Sequence, residues 1–219
     1  MTVLRERGDG RVWVKLCGFR DPEMATVAVG EGADAIGVVL HADSPRNATV
    51  GAAAEVVAAA APVPVVAVVV DRSRADLERI VGDTGVAGVQ LCGREPAADA
   101  MWLHATFPGV CVIRTRHVAP TATGWGRLES DGADAVLVDA DVEGIAGGSG
   151  TGLRWEAPAI AAVPVILAGG LDASTVAGAV AAVRPFGVDV SSALEVERGK
   201  KDPARIRAFM DAVRATVTV

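Results

Sequence analysis

Four kinds of residue in this chain could do chemistry together, and each falls at the end of a short apolar run. The first is a thiol. Cys17 follows the run 12–16, and side chains alternate along a strand, so Lys15 shares its face. A neighbouring ammonium favours thiolate, which would make Cys17 a base or nucleophile. The competing reading is a buried structural cysteine, the commoner fate of a free one. The second is a carboxylate. Asp139 ends the run 135–139 on the face of Leu137, with Val136 and Val138 on the other. It is a candidate general acid if burial raises its pKa. The third is Arg46, set behind Pro45, whose planar fork suits a carboxylate or a phosphate unless it is a surface loop arginine. The fourth is a set of small residues in the stretch 164–195. There an apolar run ends in Gly169-Gly170, a helical segment opens at Asp172, and a second run ends in Ser191-Ser192. Glycines let backbone N–H groups approach an anion closely, so this βαβ unit reads either as a phosphate seat or as an ordinary unit with glycine turns. A glycine-rich stretch at 144–152, including Gly148, could fold over a ligand and meet the same phosphate.

The elements that must position these residues follow from hydrophobic patterning. Apolar runs recur at 12–16, 35–40, 65–70, 88–91, 110–114, 135–139, 165–168 and 187–190. Near-continuous Val/Ile/Leu runs are what a parallel sheet covered on both faces requires. The segments between carry helix signals. Asp21-Pro22 and Asp202-Pro203 pair an N-cap with proline at the first helical position, and Thr49 is a third cap. Further helices are expected over 76–81 and 96–107, and Gly30, Gly32, Gly85, Gly109 and Gly132 stand where helices must stop. Eight such units in 219 residues leave roughly 27 each, which fits a minimal barrel. The expected fold class is α/β: one (β/α)8 TIM barrel of the phosphate-binding type over residues 1–219. In that architecture active residues lie at the carboxyl ends of strands, and the loops after the seventh and eighth strands form a phosphate cup. Gln90 and Cys92 should share a face at the end of the fourth run. Arg114, Arg116 and His117, beyond the fifth, either add positive potential to the mouth or are surface charge.

Composition narrows the classes. A net charge of −6 argues against a nucleic-acid partner while allowing a local cationic site for a small anion. Three cysteines with no CxxC indicate neither a disulfide framework nor a zinc ribbon, and fit a reducing compartment. The most apolar region, 56–70, carries Pro62 and Pro64 and is too short to span a bilayer. The N-terminal residues lack a signal-peptide core. A soluble cytoplasmic protein with no membrane partner is expected, and a monomer.

An ordered set of motifs then carries a resemblance. Lys15-Leu16-Cys17-Gly18, Gly32-Ala33-Asp34-Ala35-Ile36-Gly37, Ser44-Pro45-Arg46, Gly88-Val89-Gln90-Leu91, Gly147-Gly148-Ser149-Gly150, Leu167-Ala168-Gly169-Gly170-Leu171, Val188-Asp189-Val190-Ser191-Ser192 and Gly199-Lys200-Lys201-Asp202 occur in the order found in phosphoribosylanthranilate isomerases. The chain resembles that family from Lys15 to about residue 213. The resemblance implies a tryptophan-pathway barrel that needs no metal or organic cofactor and acts on a small phosphosugar arylamine. It implies an Amadori rearrangement with Cys17 as general base and Asp139 as general acid. It puts Arg46 on the substrate carboxylate, and Gly148, Gly169, Gly170, Ser191 and Ser192 around the phosphate. Cys92, Ala140, Arg154 and Ala193 depart from the family's usual His, Thr, Asp and Gly. They keep open a paralogous isomerase of a related N-phosphoribosyl arylamine. A non-catalytic phosphosugar-binding barrel is the alternative of another class, against which the retained thiol and carboxylate argue.

Overall fold

The computed structural model describes residues 3–5, 10–117, 127–139 and 160–216. Eight parallel strands close into a barrel: β1 (Trp13–Leu16), β2 (Ala35–Val39), β3 (Val65–Val69), β4 (Gly88–Leu91), β5 (Cys111–His117), β6 (Ala135–Asp139), β7 (Val165–Ala168) and β8 (Gly187–Val190). Each strand pairs with the strands before and after it in the chain, and β1 closes the circle on β8. Six α-helices are described: α1 (Pro22–Gly30), α2 (Val50–Ala60), α3 (Arg74–Thr84), α4 (Ala97–Thr106), α5 (Val176–Val183) and α6 (Pro203–Arg214). This is the (β/α)8 architecture, and the eight strands fall on the eight apolar runs.

The alternation of side chains divides the core into layers. Trp13, Ala35, Val66, Ile113, Leu137 and Ile166 fill the barrel. Their neighbours Val14, Ile36, Ala67, Val89, Val112 and Leu167 pack outward against the helices. Both faces are therefore largely apolar, with Lys15, Gln90, Arg114, Thr115 and Asp189 as buried polar exceptions, which is why the runs read as nearly continuous rather than alternating. Fully burying each large aliphatic side chain contributes roughly 1.5–3 kcal/mol.

Helix starts follow the expected chemistry. Asp21 accepts from the Glu23 N–H, Thr49 from Ala52 and Asp202 from Arg205, at 2.9, 3.1 and 2.9 Å. The third helix is longer than its apolar stripe. Ser73 caps it three residues before the expected start, by accepting from the Asp76 N–H, and Gly85 ends it in the left-handed region at φ 69°. Asp172 opens its segment as a turn, its carboxylate accepting from the N–H groups of Ser174 and Thr175, and the regular helix begins only at Val176. Strand β5 outruns its expected end at residue 114 because its polar residues are accommodated. Thr115 turns into the barrel, and the Arg116 guanidinium is held outside it by Asp131 and the Glu129 carbonyl. Beyond β8 the chain forms a 3-10 turn (Ser192–Leu194) and an antiparallel pair, Glu195–Glu197 with Lys200–Lys201, before entering α6. No helix among the described residues is long and apolar enough to cross a membrane.

Candidate active site

The site begins inside the barrel, below the mouth. Lys15 on β1 and Asp189 on β8 are register partners, and Lys15 Nζ donates to Asp189 Oδ1 at 2.5 Å with no solvent exposure of the lysine side chain. Burial disfavours the ammonium, but the Asp189 charge, helped by Cys17, overrides it and raises the lysine pKa. Lys15 is thus a fixed positive charge.

Cys17 stands one layer above. Its N–H extends the barrel pairing by donating to the Val190 carbonyl at 2.8 Å, and its side chain is buried. Burial pushes the thiol above its ordinary value, against the opposing pull of Lys15. Lys15 does favour the thiolate, as its shared face implies, but burial outweighs it. The lysine charge is largely matched by Asp189, whose own negative charge adds to the rise, so desolvation wins. The sulfur is seated against Gly37 of β2, where a Cβ would lie 2.6 Å from Sγ and 3.1 Å from the Cys17 Cα. Gly37→Ala should therefore displace the thiol. We expect a loss of kcat on the order of 10²-fold, since small misplacements of a reacting group are that costly. The accompanying stability loss should be only about 1–3 kcal/mol. Steady-state rates together with a thermal melt check both.

Asp139 ends β6 on the inward face, with its side chain 30 % exposed. His117, its register partner on β5, places Nδ1 3.8 Å from Asp139 Oδ2 and Nε2 3.4 Å from the Cys92 carbonyl oxygen. Between β1 and β6 in the barrel circle lie only β8 and β7. The thiol and the carboxylate therefore flank the two strand ends that carry Ser191-Ser192 and Gly169-Gly170. The two glycines are at φ 86° and 64°, a backbone only glycine adopts easily. Gly148 and the rest of 144–152 lie outside the described residues, as do Ala140 and Arg154.

The two serines differ in what they can offer. The Ser191 hydroxyl already donates to the Cys17 carbonyl at 3.1 Å, tying β8 to the thiol's own backbone. Ser192 is exposed, and its hydroxyl has no hydrogen bond among the described residues.

Arg46 is neither a free fork nor a solvated loop arginine. Its Nε and Nη2 donate to Glu195 Oε1 and Oε2 at 2.7 and 2.9 Å, a two-point bond that fixes the guanidinium plane. Glu195 is buried and also accepts from Lys201 Nζ at 2.9 Å and from the Gly199 N–H at 3.1 Å. Burial disfavours its charge, but these donors hold its carboxyl below the usual range. Gly18 lets this cluster close on Cys17. At φ 82°, a Cβ there would lie 2.7 Å from Arg46 Cδ, 2.9 Å from Ser191 Oγ and 3.3 Å from Lys201 Nζ.

The remaining candidates separate by face. Gln90 and Cys92 point inward, with Gln90 Nε2 3.2 Å from Cys92 Sγ and 3.0 Å from Thr115 Oγ1. Burial pushes the Cys92 thiol up to about 12, so it is no ready nucleophile. Arg114 faces out of the barrel and holds the Glu95 and Pro96 carbonyls. With Arg116 also outside, neither arginine supplies potential to the mouth, while His117 does face it.

Sequence reading assigned no role to Asp189, Glu195 or Lys201. Signals for two of them were present. A carboxylate inside the apolar run Gly187–Val190 cannot stay unpaired, and alternation puts it on the inward face with Lys15. Lys201 belongs to the Gly199-Lys200-Lys201-Asp202 motif, but nothing in its spacing shows that the chain folds back over Arg46.

The closed parallel barrel, with an inward thiol, a carboxylate and glycine/serine loops at the carboxyl ends of its strands, defines a (β/α)8-barrel protein with its polar site in the mouth. The chain belongs to the family described as N-(5'-phosphoribosyl)anthranilate (PRA) isomerase, whose model matches residues 14–212. An N-(5'-phosphoribosyl)anthranilate isomerase from Pseudomonas fluorescens is 40% identical over 205 residues, covering 91% of this chain and 94% of the relative. The crystal structure of TrpF from Jonesia denitrificans superposes with a TM-score of 0.79 at 32% identity, covering 94% of this chain and 98% of that one. A phosphoribosyl anthranilate isomerase in complex with reduced 1-(o-carboxyphenylamino)-1-deoxyribulose 5-phosphate is similar at a TM-score of 0.73 and 25% identity, over 93% of this chain and 99% of that one.

Proposed function

We propose that the chain catalyses the Amadori rearrangement of N-(5'-phosphoribosyl)anthranilate to 1-(o-carboxyphenylamino)-1-deoxyribulose 5-phosphate in tryptophan biosynthesis. The observation that carries this reading is the family match across the barrel, with Cys17 and Asp139 facing one mouth. Asp139 gives a proton to the ribose ring oxygen, the bond from that oxygen to carbon 1 breaks, and the aryl nitrogen completes a cationic imine. Cys17 removes the proton from carbon 2, and the electron pair moves to neutralise the nitrogen. The resulting enolamine becomes the ketone as carbon 1 gains a proton and the hydroxyl on carbon 2 gives one up, which returns Cys17 and Asp139 to their starting states. The imine cation does two things here. It acidifies carbon 2, and it offsets the desolvation that keeps the free thiol protonated.

In this reading Gly148, Gly169, Gly170, Ser191 and Ser192 seat the phosphate, and Ser191 also braces the Cys17 backbone. A phosphorylated substrate is confined by its charge to the compartment that makes it, so the reading includes the cytoplasm. Every proposed site residue comes from one chain, so a monomer suffices. The test is conversion of freshly formed substrate by purified protein, followed by chromatography of the product. Turnover supports the function, and no product from folded protein contradicts it.

Arg46 holds the anthranilate carboxylate. Arg46→Ala should raise KM for the anthranilate substrate about 10- to 100-fold, the range of a lost charge-assisted hydrogen bond. The same change should cost an N-phosphoribosyl aniline, which lacks the acid, far less. Equal losses for the two substrates would contradict the role.

A further inference from the structure

Arg46 poses an electrostatic problem that its neighbours resolve. A guanidinium bonded at two points to a carboxylate is well oriented but nearly neutralised, and a neutral pair is a weak receptor for an anion. Here Glu195 carries a third partner. Lys201 Nζ, on a side chain only 3 % exposed, reaches Glu195 Oε1 at 2.9 Å and the Ser191 carbonyl oxygen at 3.0 Å, and stacks 5.4 Å over the Phe19 ring. The cluster Arg46–Glu195–Lys201 thus holds two positive charges and one negative. Its members are placed by the loop after β2 and by the hairpin before α6, and they meet over Gly18. Lys201 is nearly sealed from solvent, whereas the Arg46 side chain keeps 21 % exposure, so the surplus charge faces outward through Arg46.

Resting on the isomerase reading above, we propose that Glu195 and Lys201 are positioning residues of the carboxylate clamp: Glu195 fixes the fork of Arg46, and Lys201 restores the positive charge that Glu195 cancels. Neither touches the substrate. Lys201 acts at a distance, and what it must supply is charge, so arginine should serve in its place. Glu195 orients only Arg46, so the effect of withdrawing its carboxylate at constant charge should vanish where Arg46 is absent. A purely architectural role for either residue makes different predictions, since lost packing would weaken every ligand alike.

The experiment is calorimetric binding of two ligands, the reduced carboxyphenylamino-deoxyribulose phosphate and the corresponding phenylamino compound without the carboxylate. The readout is the ratio of their Kd values, which needs no turnover and cancels general damage. Wild type should favour the carboxylated ligand. Lys201→Met should reduce that preference by about tenfold, as expected for a unit charge removed a few ångströms from the binding group. Lys201→Arg should keep most of it. Glu195→Asp, which keeps the charge but withdraws the carboxylate from the fork, should reduce the preference when made alone and change nothing further in an Arg46→Ala background. If Lys201→Met and Glu195→Asp retain the wild-type ratio, the proposal is overturned while the isomerase function stands. It is also overturned if wild type shows no preference, or if Glu195→Asp still lowers the ratio without Arg46. Loss of both ligands in equal proportion counts against it as well, because that is the mark of architecture alone. Turnover of wild type, measured in parallel, separates failure of the function from failure of the clamp.

Discussion

Cys17→Ala should lower kcat by about 10²–10⁴-fold, the usual contribution of a positioned base. The fold should survive, because Cys17 is held by its backbone. Its N–H bonds Val190 and its carbonyl accepts from Ser191, so the backbone keeps its place when the sulfur, which fills the space beside Gly37, is removed. The expected result is therefore a protein with a cooperative melt close to wild type, normal binding of the reduced product analogue, and almost no turnover. Cys17→Ser is the sharper variant. It keeps shape and hydrogen bonding, but a buried hydroxyl is a far weaker acid than a thiol and cannot supply the base. Turnover of either variant within about tenfold of wild type would remove Cys17 from the chemistry.

Asp139→Asn should be comparably severe, about 10²–10⁴-fold, because the amide cannot give a proton to the ring oxygen. It should leave a distinct trace in the pH profile. With the acid gone, the residual rate depends on the thiolate fraction. Burial places the Cys17 pKa above its ordinary value, so that fraction grows as pH rises through the neutral range. The residual kcat/KM of Asp139→Asn should climb about tenfold per pH unit between roughly pH 7 and 9, as for any single group titrating well below its pKa. A flat profile in the variant would mean that something other than the Cys17 thiolate limits the reaction. The variant should fold, since Asp139 stands at the open end of β6 with part of its surface in water.

How much of this was legible beforehand depends on whether the signal was local. The eight strands were, because a doubly covered parallel sheet writes each strand as an unbroken apolar run. Period-2 alternation then paired Lys15 with Cys17, Gln90 with Cys92 and Leu137 with Asp139 on shared faces, and the barrel turns all three faces inward. Helix caps such as Asp21, Thr49 and Asp202 were legible for the same reason, since donor and acceptor are two or three residues apart. What escaped was long-range. Glu195 reaches Arg46 across 149 positions, and Asp189 reaches Lys15 across 174. The first pairing leaves no mark in the sequence, and the second leaves only a carboxylate inside an apolar run that needs some partner. The thiol's state also escaped, because the sequence shows the adjacent lysine but not the aspartate that spends its charge. Strand β5 was cut short on paper at its first arginine, since only the folded chain reveals that Arg114 and Arg116 point away from the barrel interior to carbonyl and carboxylate partners.

The claim on which all of this rests is that a sulfur and a carboxylate address the same sugar from two sides of a single barrel mouth. A crystal structure of the protein with reduced 1-(o-carboxyphenylamino)-1-deoxyribulose 5-phosphate tests it directly. The account predicts the Asp139 carboxylate within about 3 Å of the oxygen on sugar carbon 4 and the Cys17 sulfur facing carbon 2 at near-contact distance, about 3–3.5 Å. The phosphate should sit on Gly169, Gly170 and Ser192. A ligand seated with carbon 2 turned away from Cys17, or bound outside the circle of β1, β8, β7 and β6, would contradict it.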